Sequence, residues 1–356
     1  MSELHPVEMA WRRFRNDTRR LTVLQRCYQG MPRILDDLRV HGGITAWPPG
    51  VVLSLAVPGS MMKTIENWVS PEHQHEPTHP PHRTFAHTLH VWAAYRESKT
   101  IYQIEPALTD CLVRTPWPDD VPATALRLPS YCPILAFPWH GQTTYLAVTY
   151  DIALHPTTPE ERTIHISRFT PPVPGVDPIE LNGEALWEGI CTVSLVRRTL
   201  AECLAYTVQI VNERFPDHTS VGFFHNDLAG FAITLLLYLA GEPDIVRLVH
   251  PGEKPVVKAT LQKRDPERYK DLRAPVVHAV GTSFTQAIER WELEHTHERE
   301  EASGRTVRPH TRRAHAHLYW TGEGRSVPRV RFLLPISVKA GTLVEEPETP
   351  HLNRVR

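Results

Sequence analysis

The sequence predicts an α+β protein in which helices pack against an antiparallel central sheet, with an N-terminal helical segment and a C-terminal β-hairpin. Three observations lead to this fold class. Helix-like and strand-like segments follow one another as helix, strands, helices and strands. The middle of the chain holds three strand-like runs separated by turn residues. The 33 prolines argue against a long helical bundle, because proline interrupts helix interiors.

Length and composition indicate an ordinary globular protein. The 356 residues are 41% hydrophobic and 22% charged, so the chain can bury a large core. The net charge of −1 excludes a general attraction to nucleic acid or membranes, and any such partner must be met by a local patch. The five cysteines are widely spaced without a C-x-x-C pair, as is typical of a reducing compartment. The longest apolar run, 231–240, is too short to span a bilayer, so we expect a soluble, cytoplasmic protein.

Changes in composition divide the chain into five parts. Residues 1–45 form the N-terminal helical segment, 46–178 the strand-rich part and 179–302 the helical part. A basic β-hairpin follows at residues 303–340, and a polar tail occupies residues 341–356. We therefore expect the charge pattern of the hairpin to differ from that of the rest of the chain.

A loop at residues 70–90, inside the strand-rich part, has the most unusual composition. Four histidines and four prolines lie between Pro71 and His82. Structural zinc sites usually include cysteine, and no cysteine is nearby. We expect an exposed, proline-stiffened loop that binds no stoichiometric metal, with a histidine metal site as the alternative.

Apolar residues at three-four spacing predict the helices. They predict one or two helices in the first 40 residues and a long helix from Leu186 to Val211. Asp227 is a plausible N-cap for a helix from Leu228 to Ala240, and Gly241 is a plausible stop. Because that helix is apolar on every side, we expect it at the buried centre of the domain.

Runs rich in β-branched and aromatic residues predict the central sheet. Residues 131–137, 144–150 and 162–169 read as three strands of an antiparallel meander. Alternation resumes near the C-terminus, on both sides of the Gly-x-Gly at residues 322–324, which predicts a hairpin between 314–320 and 327–338. We expect these C-terminal strands to join the meander in one sheet.

Positive charge is concentrated in the C-terminal hairpin. Between Arg305 and Arg331, seven arginines and three histidines stand against one acid, Glu323. Arginine presents planar donors to phosphate or carboxylate, and the adjacent Tyr319 and Trp320 offer faces for stacking. This chemistry is that of a binding surface.

Alternation along the predicted strand separates two faces, because residues two apart project to the same side. One face is polar and ends in an aromatic ring; it carries Arg313, His315, His317 and Tyr319. The other face is mostly core; it carries Arg312, Ala314, Ala316, Leu318 and Trp320.

The sequence contains no glycine-rich phosphate loop, no G-x-S-x-G elbow and no paired-carboxylate motif. Two alternatives to a binding surface remain. His315 and His317 could serve metal-independent general acid-base chemistry on RNA. The arginines could instead form a structural network with a glutamate-rich helix that begins near Phe284.

The same segment resembles the C-terminal signature of a family carried on phages and plasmids, whose named members are type V-A anti-CRISPR proteins of the second family. The resemblance lies within residues 308–338, and the family pattern has tryptophan where this chain has Ala316 and Phe332. The matching positions are Arg308, Pro309, His310, Arg313, Ala314, His315, His317, Tyr319, Trp320, Gly322, Val330, Arg331, Pro335 and Ile336.

The resemblance implies a non-enzymatic inhibitor without catalytic residues, metal or cofactor. Its partner would be the nascent N-terminal peptide of a type V CRISPR nuclease, whose messenger RNA is then lost in the bacterial host cell. Contact with mRNA or the ribosome is a further implied partner, and no membrane partner is expected. The residues predicted to bind peptide or RNA are Arg308, His310, Arg312, Arg313, His315, His317, Tyr319, Trp320 and Arg331.

Two alternatives stay open beside this function. One is an RNA-binding protein or metal-independent ribonuclease that uses the Arg/His-rich segment. The other is a plasmid or phage regulatory protein without enzymatic activity, in which the motif is only a folding core.

Overall fold

Seven strands form the centre of the protein, described from a computed structural model. They are β1 (Thr100–Ile104), β2 (Pro133–Trp139), β3 (Gln142–Ile152), β4 (Arg162–Phe169), β5 (Trp187–Ser194), β6 (Val246–Pro251) and β7 (Val276–Val280). Their order in the sheet is β5-β4-β3-β2-β1-β7-β6. The structure describes residues 5–16, 88, 91–92, 94–130, 132–152, 162–169, 187–195, 197–214, 226–241, 246–251, 255–282, 285, 310–312, 315–333 and 336–338.

The α+β class is confirmed, but the central sheet is mixed and not wholly antiparallel. β1 runs parallel to both of its neighbours, β2 and β7, whereas the other pairs are antiparallel. A parallel pair needs a crossover, which α3 (Pro106–Val113) supplies between β1 and β2. Sequence analysis missed β1, β6 and β7, because runs of five or six residues are too short for their pattern to distinguish a strand from other segments.

The predicted meander is confirmed as β2, β3 and β4. Two residues, His140 and Gly141, connect β2 to β3, with φ angles of 48° and 77°. Positive φ at both positions is the requirement of a type I′ turn, whose twist matches that of the flanking strands. Glycine at the second position therefore favours this tight hairpin over a longer loop.

Helices cover both faces of the sheet. In addition to α3 they are α1 (Pro6–Asn16), α2 (residues 91–92 and 94–98), α4 (Leu200–Arg214), α5 (Asn226–Gly241), α6 (Pro255–Arg264) and α7 (Pro266–Leu272). Ile101 and Ile134 contact the core under α1 and α2, whereas Tyr102 and Leu135 contact the core under α3 and α5. β1 and β2 are thus buried on both faces, which explains their nearly continuous apolar sequences.

α5 is the buried central helix that its sequence predicted. It begins at Asn226, one residue before the predicted N-cap Asp227, and ends at Gly241. Phe231 packs against Phe137 of the sheet, with ring centroids 4.9 Å apart. Two turns further along the helix, Tyr238 packs against Phe332 of the C-terminal hairpin, with ring centroids 5.7 Å apart. The helix lacks a polar face because the central sheet, α3 and the C-terminal hairpin all pack against it.

The long helix predicted from Leu186 to Val211 is wrong in its first half. Residues 187–194 form β5, which pairs with β4, and the helix α4 begins only at Leu200. A capping box sets this start: Glu202 N–H donates to Thr199 Oγ1 (3.2 Å), and Thr199 N–H donates to Glu202 Oε2 (3.1 Å). The apolar spacing alone could not separate the strand from the helix.

The C-terminal strands do not join the central sheet, contrary to expectation. β9 (His315–Thr321) and β10 (Val327–Leu333) form a separate two-stranded sheet, and β8 (His310–Arg312) pairs with β11 (Ile336–Val338). The two ladders share one register. From the Leu333–His315 pair to the Ile336–Arg312 pair, each side of the hairpin moves by three residues. The four strands are therefore one long hairpin, which packs on α5 and not beside a strand of the central sheet.

Several predictions lie outside the described residues. These are the histidine-proline loop between Pro71 and His82, the second N-terminal helix, and most of the helix near Phe284. Of the five cysteines, Cys27 also lies outside them. The four described cysteines are free thiols in apolar surroundings, as expected, and burial raises the pKa of Cys191 to about 12.

Candidate functional site

The C-terminal hairpin turns at Gly322–Ser326, as the Gly-x-Gly pattern predicted. Gly322, Gly324 and Arg325 have φ angles of 79°, 64° and 53°. Arg325 N–H donates to the carbonyl oxygen of Gly322 (3.1 Å), and Ser326 Oγ donates to that of Glu323 (2.9 Å). The glycines permit the left-handed backbone that this compact turn needs, which fixes the register of β9 against β10.

A very close backbone approach holds the hairpin against α5. A Cβ atom on Gly241, the last residue of α5, would lie 1.9 Å from the carbonyl oxygen of Val330. Only glycine allows this distance, and Val330 itself is 2% exposed. Gly241 therefore has a packing role beyond that of a helix stop, because it seats β10 on the helix.

The inner face of the hairpin completes the core, as the alternation predicted. Ala316 is buried, and Leu318 and Phe332 pack against the core beside it. Trp320 departs from the prediction that this face is mostly core, since it is 49% exposed. The core ends before the tip of the hairpin, so the indole lies beyond the surface that could cover it.

The outer face carries a row of aromatic rings along β9. The rings of His315 and His317 meet edge to face with centroids 4.9 Å apart, and His317 and Tyr319 follow at 6.1 Å. On β10, Arg331 lies directly opposite His317, and Arg329 lies opposite Tyr319. We call these five residues the outer face of the hairpin. His317, Tyr319 and both arginines are exposed, whereas His315 is half-buried.

The structure brings together four of the nine residues predicted to bind peptide or RNA. His315, His317, Tyr319 and Arg331 share the outer face, while Trp320 lies at the tip on the opposite side. His310 and Arg312 are on β8, where only their backbone positions are described. Arg308 and Arg313 lie outside the described residues.

Sequence reasoning overlooked Arg329 as a site residue. It was counted in the charge excess, but its place beside Tyr319 depends on the register of β10 against β9. The signal was present, because a hairpin that turns at residues 322–326 already implies this pairing. The exposed Arg325 at the turn adds a further guanidinium near the tip.

The outer face is suited to bind an extended anionic partner. Guanidinium groups donate forked hydrogen bonds to phosphate or carboxylate oxygens, and the rings present flat faces for stacking. Among the described residues of this face there is no carboxylate, so its charge is positive. Packing on α5 holds the strands in place, which lowers the entropy lost when a partner binds.

A second group of charged side chains is buried where α1, α2 and α7 meet, and sequence reasoning missed it. Arg96 forms an ion pair with Asp271, and both side chains are largely buried. Lys99 Nζ donates to the carbonyl oxygens of Asp271 (3.0 Å) and Arg273 (2.7 Å). Cations beside the last carbonyls of α7 satisfy acceptors that the helix leaves unpaired. No local pattern links residues so far apart in the chain.

This buried network connects α1 to α2 and α7. Trp11 Nε1 of α1 donates to the carbonyl oxygen of Asp271 (3.0 Å), and Tyr95 Oη donates to Glu8 Oε2 (3.3 Å). Burial lowers the pKa of Lys99 to about 7, and Glu8, 3.6 Å away, opposes that shift. These side chains form hydrogen bonds and ion pairs with one another, so we assign the network a structural role.

The described residues contain neither a metal-binding cluster nor a membrane-spanning helix. Within those residues, no group of three or more His, Cys, Asp or Glu side chains is placed to hold a metal ion. Of the helices that the structure describes, none is both long and apolar enough to cross a membrane.

Comparisons with known proteins agree on one relationship. Residues 102–340 match the model of a family described as AcrVA2-like, the anti-CRISPR type V subtype A2 family. The fold is similar to a crystal structure of AcrVA2, with a TM-score of 0.56 and 16% sequence identity over 95% of this chain and 100% of that chain. At this identity the likeness shows a shared fold. No curated protein matches the chain.

Proposed function

The chain belongs to the anti-CRISPR type V subtype A2 family, and we propose that it lowers production of a type V CRISPR nuclease by recognising the N-terminal part of the nascent nuclease. Loss of the translated messenger RNA follows from that recognition. The protein acts as a binding protein without chemistry of its own, in the cytoplasm of the bacterial host. Its partners are the nascent peptide and, through the basic hairpin, mRNA or the ribosome.

One observation carries this proposal: the segment that resembles the family signature forms an exposed, positively charged face on a firmly seated hairpin. The matched region, residues 102–340, contains the whole of β9 and β10. Three of the four family-like residues on the outer face, His317, Tyr319 and Arg331, are exposed, although a folding motif would place them inside. Exposed aromatic and arginine residues are the types that contribute most to binding.

A translation reporter tests whether the peptide or the message is recognised. The coding sequence of the type V nuclease N-terminus is fused to a fluorescent protein and co-expressed with this chain. Synonymous recoding changes the RNA and keeps the peptide, whereas a compensated frameshift keeps most of the RNA and changes the peptide. We expect the messenger level to fall with the synonymous version and to stay unchanged with the frameshifted version.

The control is the same pair of reporters with the Arg331→Ala variant of this chain. Loss of the message in the frameshifted reporter would contradict recognition of the peptide. Unchanged messages in both reporters would contradict the proposed function as a whole. Metal-independent cleavage of purified RNA that disappears with His315→Ala would instead place the protein among ribonucleases.

A further inference from the structure

We infer that the outer face of the hairpin is a platform for single-stranded RNA. The inference rests on the proposed function only in treating this face as a partner-binding surface. It adds that RNA is the partner which this face takes. Three features of the hairpin support RNA binding: the row of rings on β9, the row of arginines on β10 and the exposed tip.

The rings are arranged as a stacking platform. His315, His317 and Tyr319 follow one another on one side of β9, with centroids 4.9 and 6.1 Å apart. Tyr319 is 42% exposed and His317 is exposed, so both rings are accessible to solvent. Every base has a π-face, and rings spaced along a strand can accept successive unstacked bases whatever their sequence.

The arginines add an anion-binding row parallel to the rings. Arg329 pairs with Tyr319 and Arg331 pairs with His317, so each exposed ring has a guanidinium-bearing neighbour across the ladder. Directly opposed residues have Cβ atoms about 5 Å apart. Each of these two pairs thus offers one ring for stacking and one guanidinium for a phosphate. A nucleic-acid strand likewise presents one phosphate with each base.

The tip of the hairpin extends the same chemistry. Trp320 is 49% exposed on the opposite side of β9, and Arg325 is exposed at the turn. Rings are therefore exposed on both sides of β9 near the tip, and a guanidinium group is exposed at the turn. A flexible single strand can follow such a path, whereas a duplex keeps its bases stacked and hidden from rings.

Charge and shape favour RNA over an acidic peptide. Acidic side chains could pair with the arginines, but they would leave the exposed rings without a stacking partner. Peptide specificity also depends on pockets that take individual side chains, whereas the outer face is one side of a two-stranded ribbon. The excess of seven arginines over one acid between residues 305 and 331 suits a phosphate backbone.

The test measures fluorescence anisotropy of a fluorescein-labelled, unstructured RNA about 12 nucleotides long, within the site sizes of single-strand binders. The full-length protein is titrated at several salt concentrations. We expect Tyr319→Ala to weaken binding about tenfold and Tyr319→Phe to leave it within about twofold, because the ring is kept. Arg329→Gln should lower the slope of log Kd against log salt by about 0.7. Arg264→Gln, at an exposed arginine of α6, should change neither.

Three results would overturn the inference. One is the absence of RNA binding at low salt. Another is equal weakening by Arg329→Gln and Arg264→Gln, which would indicate diffuse charge attraction. The last is retention of full RNA affinity by Tyr319→Ala.

The same variants are assayed for capture of the immobilised N-terminal nuclease peptide, which separates this inference from the proposed function. Peptide capture that Tyr319→Ala abolishes, together with no RNA binding, would overturn the RNA platform and leave the proposed function standing. RNA binding as expected, with reporter messages unchanged in cells, would support the platform and contradict the proposed function.

Discussion

Ala316 on β9 lies directly opposite Phe332 on β10, and both face the helix α5. These are the two positions at which the family-like signature of this chain departs from tryptophan. Both changes therefore lie on the side of the hairpin that packs against the core. The change affects the inner face that seats the hairpin, and the outer face keeps its rings and arginines.

We predict that Ala316→Trp destabilises the protein. Ala316 is 8% exposed and faces Phe332, so an indole there would overpack the contact with α5 and cost at least about 1–3 kcal/mol. A lower Tm in a thermal melt would show this cost. Adding Phe332→Ala should recover part of the loss, because it removes the opposing ring. An unchanged Tm for Ala316→Trp would mean that the hairpin is not tightly seated.

Gly241→Ala should separate the hairpin from α5. Its methyl group would lie 1.9 Å from the carbonyl oxygen of Val330, a distance that backbone atoms must move to relieve. We expect a loss of more than about 1 kcal/mol in the free energy of unfolding. Gly230→Ala in the same helix is the matched control, since nothing lies within 4 Å of its added methyl group. That control should gain about 0.5–1 kcal/mol, and a similar loss in both variants would refute the close-approach argument.

Asp271→Asn should be strongly destabilising. The substitution removes the nearer of two carboxylates from Arg96, which is 1% exposed and keeps Glu97 at 3.8 Å; breaking a buried pair costs about 3–5 kcal/mol. Lys270→Ala is the comparison, because its ion pair with Glu97 (3.0 Å) is nearer to solvent and contributes about 1 kcal/mol or less. Chemical denaturation of both variants measures the difference. Equal effects would show that the buried pair has no special role.

Lys99 should make stability depend on pH. Burial lowers its pKa from 10.5 to about 7, so between these values the unfolded chain keeps the proton while the folded protein releases it. Stability therefore rises with pH in this window, by about 1 kcal/mol per pH unit, and Lys99→Met should remove the slope. Unfolding free energies of wild type and variant at pH 7, 8 and 9 test this. Parallel curves would show that Lys99 stays charged in the folded protein.

Arg331→Ala should abolish knockdown of the target messenger and leave the fold intact. Arg331 is exposed on the outer face, and loss of a charge-assisted contact costs about 1.5–3 kcal/mol, which is tenfold or more in affinity. Thermal melts run beside the reporter assay distinguish a binding role of the segment from a purely structural one. If the motif were only a folding core, Tm would fall together with activity. Arg264→Ala on α6 provides the exposed control.

Local periodicity was sufficient to predict the β2–β4 meander, the buried helix α5 and the C-terminal hairpin with its turn. It also predicted that His315, His317 and Tyr319 share a face, because alternation within one strand determines side-chain direction. Local periodicity failed at β5, where apolar spacing fits strand and helix equally well. The capping box at Thr199 and Glu202 decides between them, and it is visible in the sequence.

The α+β class and the alternation of the hairpin were determined by the sequence alone, because both depend on residues close together in the chain. Only the tertiary structure seated β10 on Gly241 and joined Lys99 to Asp271. Each of these relationships connects elements that are distant in sequence. Their geometry depends on how the sheet, α5 and the hairpin pack around shared cores, and a pattern read along one segment contains no information about that packing.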